Sequence, residues 1–306
     1  MFRRVPLRRL IGLALVFGFA GRDPRAVTEP PPDPIRLGLY EWMAVAPNVI
    51  VADIVADDGR FVVASVRAAL KGELTPGSVA LVDVKQANRD RDERTPATEL
   101  TKGRAYLLLL KTSSKGKREP HPVFDLVRAA AGTRALPPEG SEAIVDASTR
   151  LAELQARNDD GLLWATLPEF LQDANPVLVD AALELYVKFR RETAALAPVI
   201  QPLLEHPRPD FRRRAALVLG RLLVRSGATA VPERAEIVAE LTGRARRDDD
   251  ASVRREATSA LAALPDAGID ESLRTIARDD PDQDVRFEAE KSLFARAQAS
   301  APKRPD

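Results

Sequence analysis

The chain contains no cysteine and only two histidines, and these shortages remove several kinds of chemistry at once. Without cysteine there is no disulfide framework, no thiolate zinc site and no cysteine to carry a lipid. His121 and His206 are each followed by proline and neither stands in a ligand-spaced cluster, so a histidine metal site is not expected. The same scarcity leaves few ways to assemble a serine–histidine–acid mechanism. Aromatic residues make up 5% of the chain and do not interleave with basic ones as a single-strand stacking platform requires. Neither a Walker pattern nor a dinucleotide fingerprint follows a candidate strand. No cofactor and no catalytic constellation are therefore expected, and the chain reads as a non-enzyme.

Net charge is also small. The 306 residues carry 46 basic and 45 acidic side chains. Four of the basic ones, Arg3, Arg4, Arg8 and Arg9, precede an apolar run from Leu10 to Ala20 that is too short to span a bilayer comfortably. A basic start, a short apolar core and Gly18-Phe19-Ala20 before Gly21 read as a secretory leader over residues 1–20, the alternative being an uncleaved N-terminal anchor. Its removal leaves 42 basic against 45 acidic residues, a formal balance of −3. That excludes the clustered positive excess of a nucleic-acid binder. The expected product is periplasmic or extracellular, with no membrane span once the leader is gone. Residues 21–35, with Pro24, Pro30, Pro31, Pro32 and Pro34, read as a linker.

Residues 36–135 have strand chemistry. Val49–Val55 and Phe61–Val66 are β-branched runs separated by Asp57-Asp58-Gly59, the pattern of a hairpin. Val79–Val84 follows a Pro76-Gly77 turn, and Ala105–Leu110 follows Lys102-Gly103. Four or five short strands with such turns predict a small barrel or sandwich. Between the last two lies Asn88-Arg-Asp90-Arg-Asp92-Glu93-Arg94, whose arginines neutralise its acids and which lacks the glycine turn of a calcium loop; it reads as a solvated loop.

A connecting segment with a helix near Ser141–Arg157 occupies 136–159, and residues 160–298 alternate helices with short turns. A helices are expected over 162–171, 194–204, 233–244 and 271–277, and B helices from Pro176, Asp210, Ala251 and Gln283. The B helices share one apolar stripe at offsets 0, 4, 7, 8 and 11, positions that return to the same face at 3.6 residues per turn. Its copies start at Leu178, Phe211, Val253 and Val285, spacings of 33, 42 and 32 residues. That period marks stacked two-helix units. In the last copy Ser292 and Arg296 replace apolar residues, which reads as a polar terminal cap. Residues 299–306 are expected to form a disordered tail. Asp248-Asp249-Asp250, despite its density of carboxylates, reads as helix capping, as do Asn175 and Asp282.

Leu70-Lys71-Gly72-Glu73 and Gly103-Arg-Ala-Tyr106-Leu-Leu-Leu-Leu110 resemble bacterial exported OB-like domains, in which they are structural markers, so nothing catalytic carries over to Lys71, Gly72, Gly103 or Tyr106. The Asp-x-x-Val-Arg openings at Val253-Arg254 and Val285-Arg286 are similar to HEAT-type repeats, in particular the phycobilin-lyase-like class, over about 160–298. That resemblance implies an Asp/Arg ladder through Arg212, Arg254 and Arg286, with Val179 breaking it in the first copy and Asp210, Asp250, Asp282 and Asp284 as the acids most able to pair. It also supplies a rival reading, a chromophore-attachment enzyme; a third reading, independent of the resemblance, is a structural envelope component without a soluble partner. The fold class expected is α+β: an OB-like barrel followed by an α-solenoid of about four HEAT-like helix pairs. The function expected is an exported scaffold that binds a protein partner, with Arg212, Arg213, Arg214, Arg254, Arg255 and Arg286 as a candidate anion-binding stripe. Partner identity and oligomeric state have no signature in the chain.

Overall fold

The computed structural model describes residues 38–59, 61–89, 98–118, 121–127, 133–226, 231, 233–266 and 268–300. The expected leader, the proline-rich linker, the charged stretch Asp90–Arg94 and residues 301–306 of the tail lie outside them. Packing divides the chain into two compact units, 1–166 and 167–306.

In the first unit, a short helix α1 (Leu39–Val45) leads into β1 (Asn48–Asp57), β2 (Phe61–Lys71) and β3 (Val79–Asp83). Helix α2 (Val84–Arg89) follows, then β4 (Ala105–Arg118), β5 (His121–Leu126), β6 (Thr133–Ala135) and α3 (Ser141–Ala156). Strand order β1-β2-β3-β5-β4 closes through a further β1–β4 pairing, giving a five-stranded barrel with β6 added beside β4. All pairings are antiparallel except β3–β5, where Leu81 and Val82 run parallel to Val123 and Phe124. The small OB-like barrel expected from the sequence is thus present. Alternation puts Ile50, Ala52 and Ile54 of β1 inside with Val62, Ala64 and Val66 of β2, and β4 adds Leu108 and Leu110. The hairpin turn is made by its own acids: Asp57 accepts from the Gly59 N–H at 2.7 Å and Asp58 from the Phe61 N–H at 2.6 Å.

Strand β5 and helix α2, like the short α1 and β6, are not among the elements expected. Strand β5 carries Pro122 and Asp125, which interrupt its apolar run, and it forms because Val123, Phe124 and Leu126 close the barrel. Helix α2 starts where the buried Asp83 accepts from the Gln86 N–H at 2.8 Å. The lysine–glycine turn has a structural role: Lys71 Nζ donates to the carbonyls of Met43 and Ala44. Gly72 has φ +101°, and a Cβ there would overlap the Asn48 side chain and stand 2.7 Å from the Pro47 carbonyl. Tyr106 is buried, and its hydroxyl accepts from the Thr101 N–H at 3.0 Å.

Helix α4 (Asp160–Leu171) contains the division between the units, and the second unit continues with α5 (Pro176–Phe189). A stack of short turns, Ala194–Leu196, α6 (Ala197–Ile200) and Gln201–Glu205, precedes α7 (Pro209–Ser226). Then come α8 (Arg234–Arg247), α9 (Ala251–Ala262), α10 (Ile269–Asp279) and α11 (Gln283–Ser300). All four expected B helices are present, as α5, α7, α9 and α11. The A helix expected over 194–204 is broken instead, because Pro198 and Pro202 lack the N–H groups that would join its pieces into one α-helix.

The offset-0 residues Leu178, Phe211, Val253 and Val285 and the offset-4 alanines Ala182, Ala215, Ala257 and Ala289 are all fully buried. Those methyl-sized positions let adjacent helices approach, and α7 meets α9 more closely still at Gly220. A Cβ on Gly220 would lie 2.6 Å from the Ala260 Cβ and 3.0 Å from its Cα. Gly220→Ala is therefore expected to destabilise the fold by about 1–3 kcal/mol through overpacking. Ala260→Gly in the same chain should recover part of the loss, and urea unfolding of the three variants checks both statements.

Candidate functional site

The polar centre of the second unit is a ladder at the turns between A and B helices. Arg212 opens α7 and is buried. Its Nε and Nη2 donate to Asp248 Oδ2 and Oδ1 at 2.9 and 2.7 Å, a two-pronged bond that reaches the next repeat. Nη2 also meets Asp249, while Nη1 donates to the carbonyls of His206 and Pro207, both at 3.0 Å. Arg254 repeats the arrangement one unit later. Its Nε and Nη2 hold Asp280 at 2.9 and 3.0 Å, and its Nη1 donates to the carbonyls of Asp248 and Asp249 at 2.9 and 3.4 Å. Arg286 donates in the same way to the carbonyls of Asp280 and Pro281.

Each arginine thus satisfies the turn six and five residues before it, while Arg212 and Arg254 also grip an aspartate in the following turn. Asp248 and Asp280 belong to both relations. Each closes its A helix and also accepts from the N–H two residues on, Asp250 at 3.0 Å and Asp282 at 2.9 Å. The acids named as partners from the sequence are corrected accordingly. Asp250 and Asp282 cap α9 and α11 by accepting from Val253 and Val285 N–H groups, and Asp210 pairs with Arg208 at 2.6 Å. Sequence reasoning looked beside each arginine, whereas the partner lies one repeat away. The signal available was the recurrence of an aspartate six residues before Arg254 and Arg286.

The first copy lacks this arginine and carries the buried Val179. The acceptor position that such an arginine would reach is His206, whose Nδ1 takes over the local task by accepting from the Arg208 N–H at 3.1 Å. Burial, with Arg208 and Arg212 nearby, holds the His206 imidazolium below its usual pKa. That favours the neutral ring able to accept. Asp173 plays the same local part before α5, accepting from the Asn175 N–H at 2.8 Å.

A second set of arginines, of which only Arg296 was singled out from the sequence, covers the far ends of the B helices. Arg221 donates to the Val187 carbonyl at 2.7 Å, and Arg225 to the buried Glu192 at 2.8 Å and the Arg190 carbonyl. Arg234 donates to the Leu223 carbonyl at 2.9 Å while paired with Asp266 at 2.6 Å. Arg296 donates to the carbonyls of Ala262 and Leu264 and pairs with Asp270. Cations at helix C-termini satisfy carbonyls that have no partner within the helix. Arg296 and the buried Ser292 therefore face the stack. This corrects the reading of these two residues as an outward polar cap: offsets 7 and 11 lie on the inward stripe.

Of the six arginines in the candidate stripe, Arg212 and Arg254 are buried in the ladder and Arg286 is half-buried against its turn. Arg214 pairs with Asp180 at 2.5 Å and Arg213 with Glu256 at 3.7 Å, both across neighbouring B helices, while Arg255 is exposed. Burial pushes the Glu256 carboxyl up, against the pull of Arg213, Arg221 and Arg255. An open cleft of about 470 Å³ between α8 and α10 mixes Arg246 and Arg247 with Asp279 and Asp280. Among the described residues no group of three acids or histidines is placed to hold a metal ion, and no helix is long and apolar enough to cross a membrane.

Residues 196–293 match the family model for HEAT repeats. No curated protein matches the chain. The matched span contains every rung of the ladder.

Removing one partner of a buried ion pair strands the other, so Asp280→Ala or Arg254→Ala should destabilise by about 3–5 kcal/mol in chemical unfolding. Arg254→Lys should recover little, since a lysine cannot make the two-pronged bond. Asp248 titrates below its usual 3.8: burial raises it, but the Arg212 hydrogen bond and the Asp250 N–H outweigh burial. The stabilisation from this group is present above pH 3.8 and lost as pH falls through the lower folded value. In Arg212→Ala burial acts on Asp248 with less opposition, so the stability gap to the parent should narrow as pH falls from about 7 towards about 4. Adding the missing rung is the complementary test. Val179→Arg alone should destabilise by burying a charge, and His206→Asp should offset much of that loss in a double-mutant cycle.

Proposed function

We propose that this chain is an exported scaffold that holds another protein along its helix-repeat surface. HEAT repeats commonly mediate protein interactions, and the family match over 196–293 supports that part of the reading. The observation that carries it is the ladder: buried bonds between repeats hold the B helices in fixed relation, so a partner meets a preformed surface with little ordering cost. In this reading the chain turns over no substrate. Its accessible cations for an acidic segment are Arg213, Arg214, Arg255 and Arg286, while Arg212 and Arg254 hold the surface in place. Export rests on the basic and then apolar pattern of residues 1–20.

Affinity capture by the full chain from an envelope fraction tests the proposal. A partner should be retained by the parent and lost with Arg213→Glu and Arg255→Glu together, while circular dichroism at the capture temperature shows the variant still folded, its melting lowered because both changes set a carboxylate near the buried Glu256. Equal capture by the double variant would remove the arginine surface from the proposal, and turnover of a small molecule by the purified chain would remove the scaffold itself. Export predicts a mature N-terminus near Gly21 in that fraction, and full-length chain confined to the cytosol would overturn it.

A further inference from the structure

Within the stack, α5 is packed by α7, α7 by α9 and α9 by α11. Helix α11 turns Val285, Ala289 and Ser292 towards α9 and α10, where all three are buried. Among the described residues no repeat lies beyond α11, and an outer face without a neighbouring repeat is normally polar. Here the opposite side of α11 carries Phe287 and Phe294, 65% and 66% exposed, more than any other large apolar side chain described. One exposed phenylalanine is ordinary, but these two are seven residues apart and fall on one line along the helix. Between them stand the exposed Glu290 and Lys291.

We propose that this face docks on a second copy of the chain, with the two α11 helices antiparallel about a twofold axis between Glu290 and Lys291. A twofold contact must be self-complementary, each residue meeting its counterpart reciprocally. The sequence of this face satisfies that condition in one orientation only. Antiparallel pairing about this axis sets Phe287 against Phe294 of the second copy and Glu290 against Lys291 of the second copy, each contact occurring twice. Asp284 then falls opposite the exposed Ala297, where no like charge meets it. A parallel pairing would place glutamate on glutamate and lysine on lysine. Lys291 is at 3.3 Å from Glu288 of its own helix, an exposed pair that exchanges readily for an intermolecular one. A single helix pair buries little area, so the dimer expected is weak and concentration-dependent.

Sedimentation equilibrium of the full chain across the micromolar range, at low ionic strength, tests this directly. The parent should show reversible dimerisation, and Phe287→Ser with Phe294→Ser should weaken it at least tenfold without changing the melting temperature. Glu290→Lys and Lys291→Glu should each weaken it by apposing like charges, and the combined E290K/K291E variant should recover it because the exchange restores opposite signs across the axis. A parent that stays monomeric overturns the proposal, including the case in which another part of the same chain covers the phenylalanines. A dimer insensitive to the serine pair also overturns it, as does a combined charge variant no better than the single ones. None of these readouts involves the proposed protein partner.

Discussion

The two-pronged bond from an arginine at the start of one B helix to an aspartate at the next turn is the constraint on which the second unit depends. Apolar stripes alone would hold the helices together without fixing how far one repeat slides over the next, because methyl and isobutyl groups attract without direction. A planar guanidinium against a carboxylate admits one geometry. Buried ion pairs contribute little net stability over apolar replacements, so their physical value here is register. Asp248 shows how that register is passed along: its carboxylate belongs to Arg212 and its carbonyl to Arg254. Two successive repeats are therefore positioned by one residue.

This arrangement also explains how the repeat tolerates unequal length. Arg212 and Asp248 are 36 residues apart and Arg254 and Asp280 only 26, yet the nitrogen–oxygen distances agree within 0.3 Å. Most of the difference is taken up by the B helix, since α7 runs on to Ser226 after Arg212 while α9 ends at Ala262 soon after Arg254, and the rest mainly by the A helix, α8 spanning Arg234–Arg247 and α10 the shorter Ile269–Asp279. The far ends of the B helices are held by a different device, in which Arg221, Arg234 and Arg296 reach carbonyls at the close of α5, α7 and α9. Helices α7 and α9 are thus tied near both ends, with the apolar stripe between.

Much of this was legible in the sequence wherever local spacing governs structure. The stripe beginning at Leu178, Phe211, Val253 and Val285 marks the B helices because 3.6-residue periodicity is a property of one segment, and the Asp57-Asp58-Gly59 turn marks the first hairpin for the same reason. What escaped is set by contacts distant in the chain. Strand β5 owes its place to closing the barrel against β3 and β4, so its proline and aspartate read locally as loop. Arg212 and Arg254 look like surface cations until Asp248 and Asp280 are brought to them, and Ser292 and Arg296 look like a solvent face until the carbonyls of Ala262 and Leu264 are placed opposite. Charged residues carry no periodic label that tells a buried partner from water. The prolines at 198 and 202 were visible, but their consequence depended on whether packing could tolerate a broken helix.

The joints between B helices are consequently unequal. Those from α7 to α9 and from α9 to α11 each rest on an arginine–aspartate bond with both partners shielded from water. The joint from α5 to α7 has Val179 and His206 at the two ladder positions and relies instead on Arg214–Asp180, Arg221 and Arg225, whose side chains remain partly accessible. Accessible pairs are weakened by salt and water in a way that buried ones are not. The two losses are physically coupled: without an arginine at 179 an aspartate at 206 would be left without that guanidinium, and a histidine can still make the turn by accepting at Nδ1 while neutral. The ladder therefore stops where both its halves are absent, which leaves α5 the B helix least fixed in register by polar bonds and α7 to α11 the most rigid part of the surface.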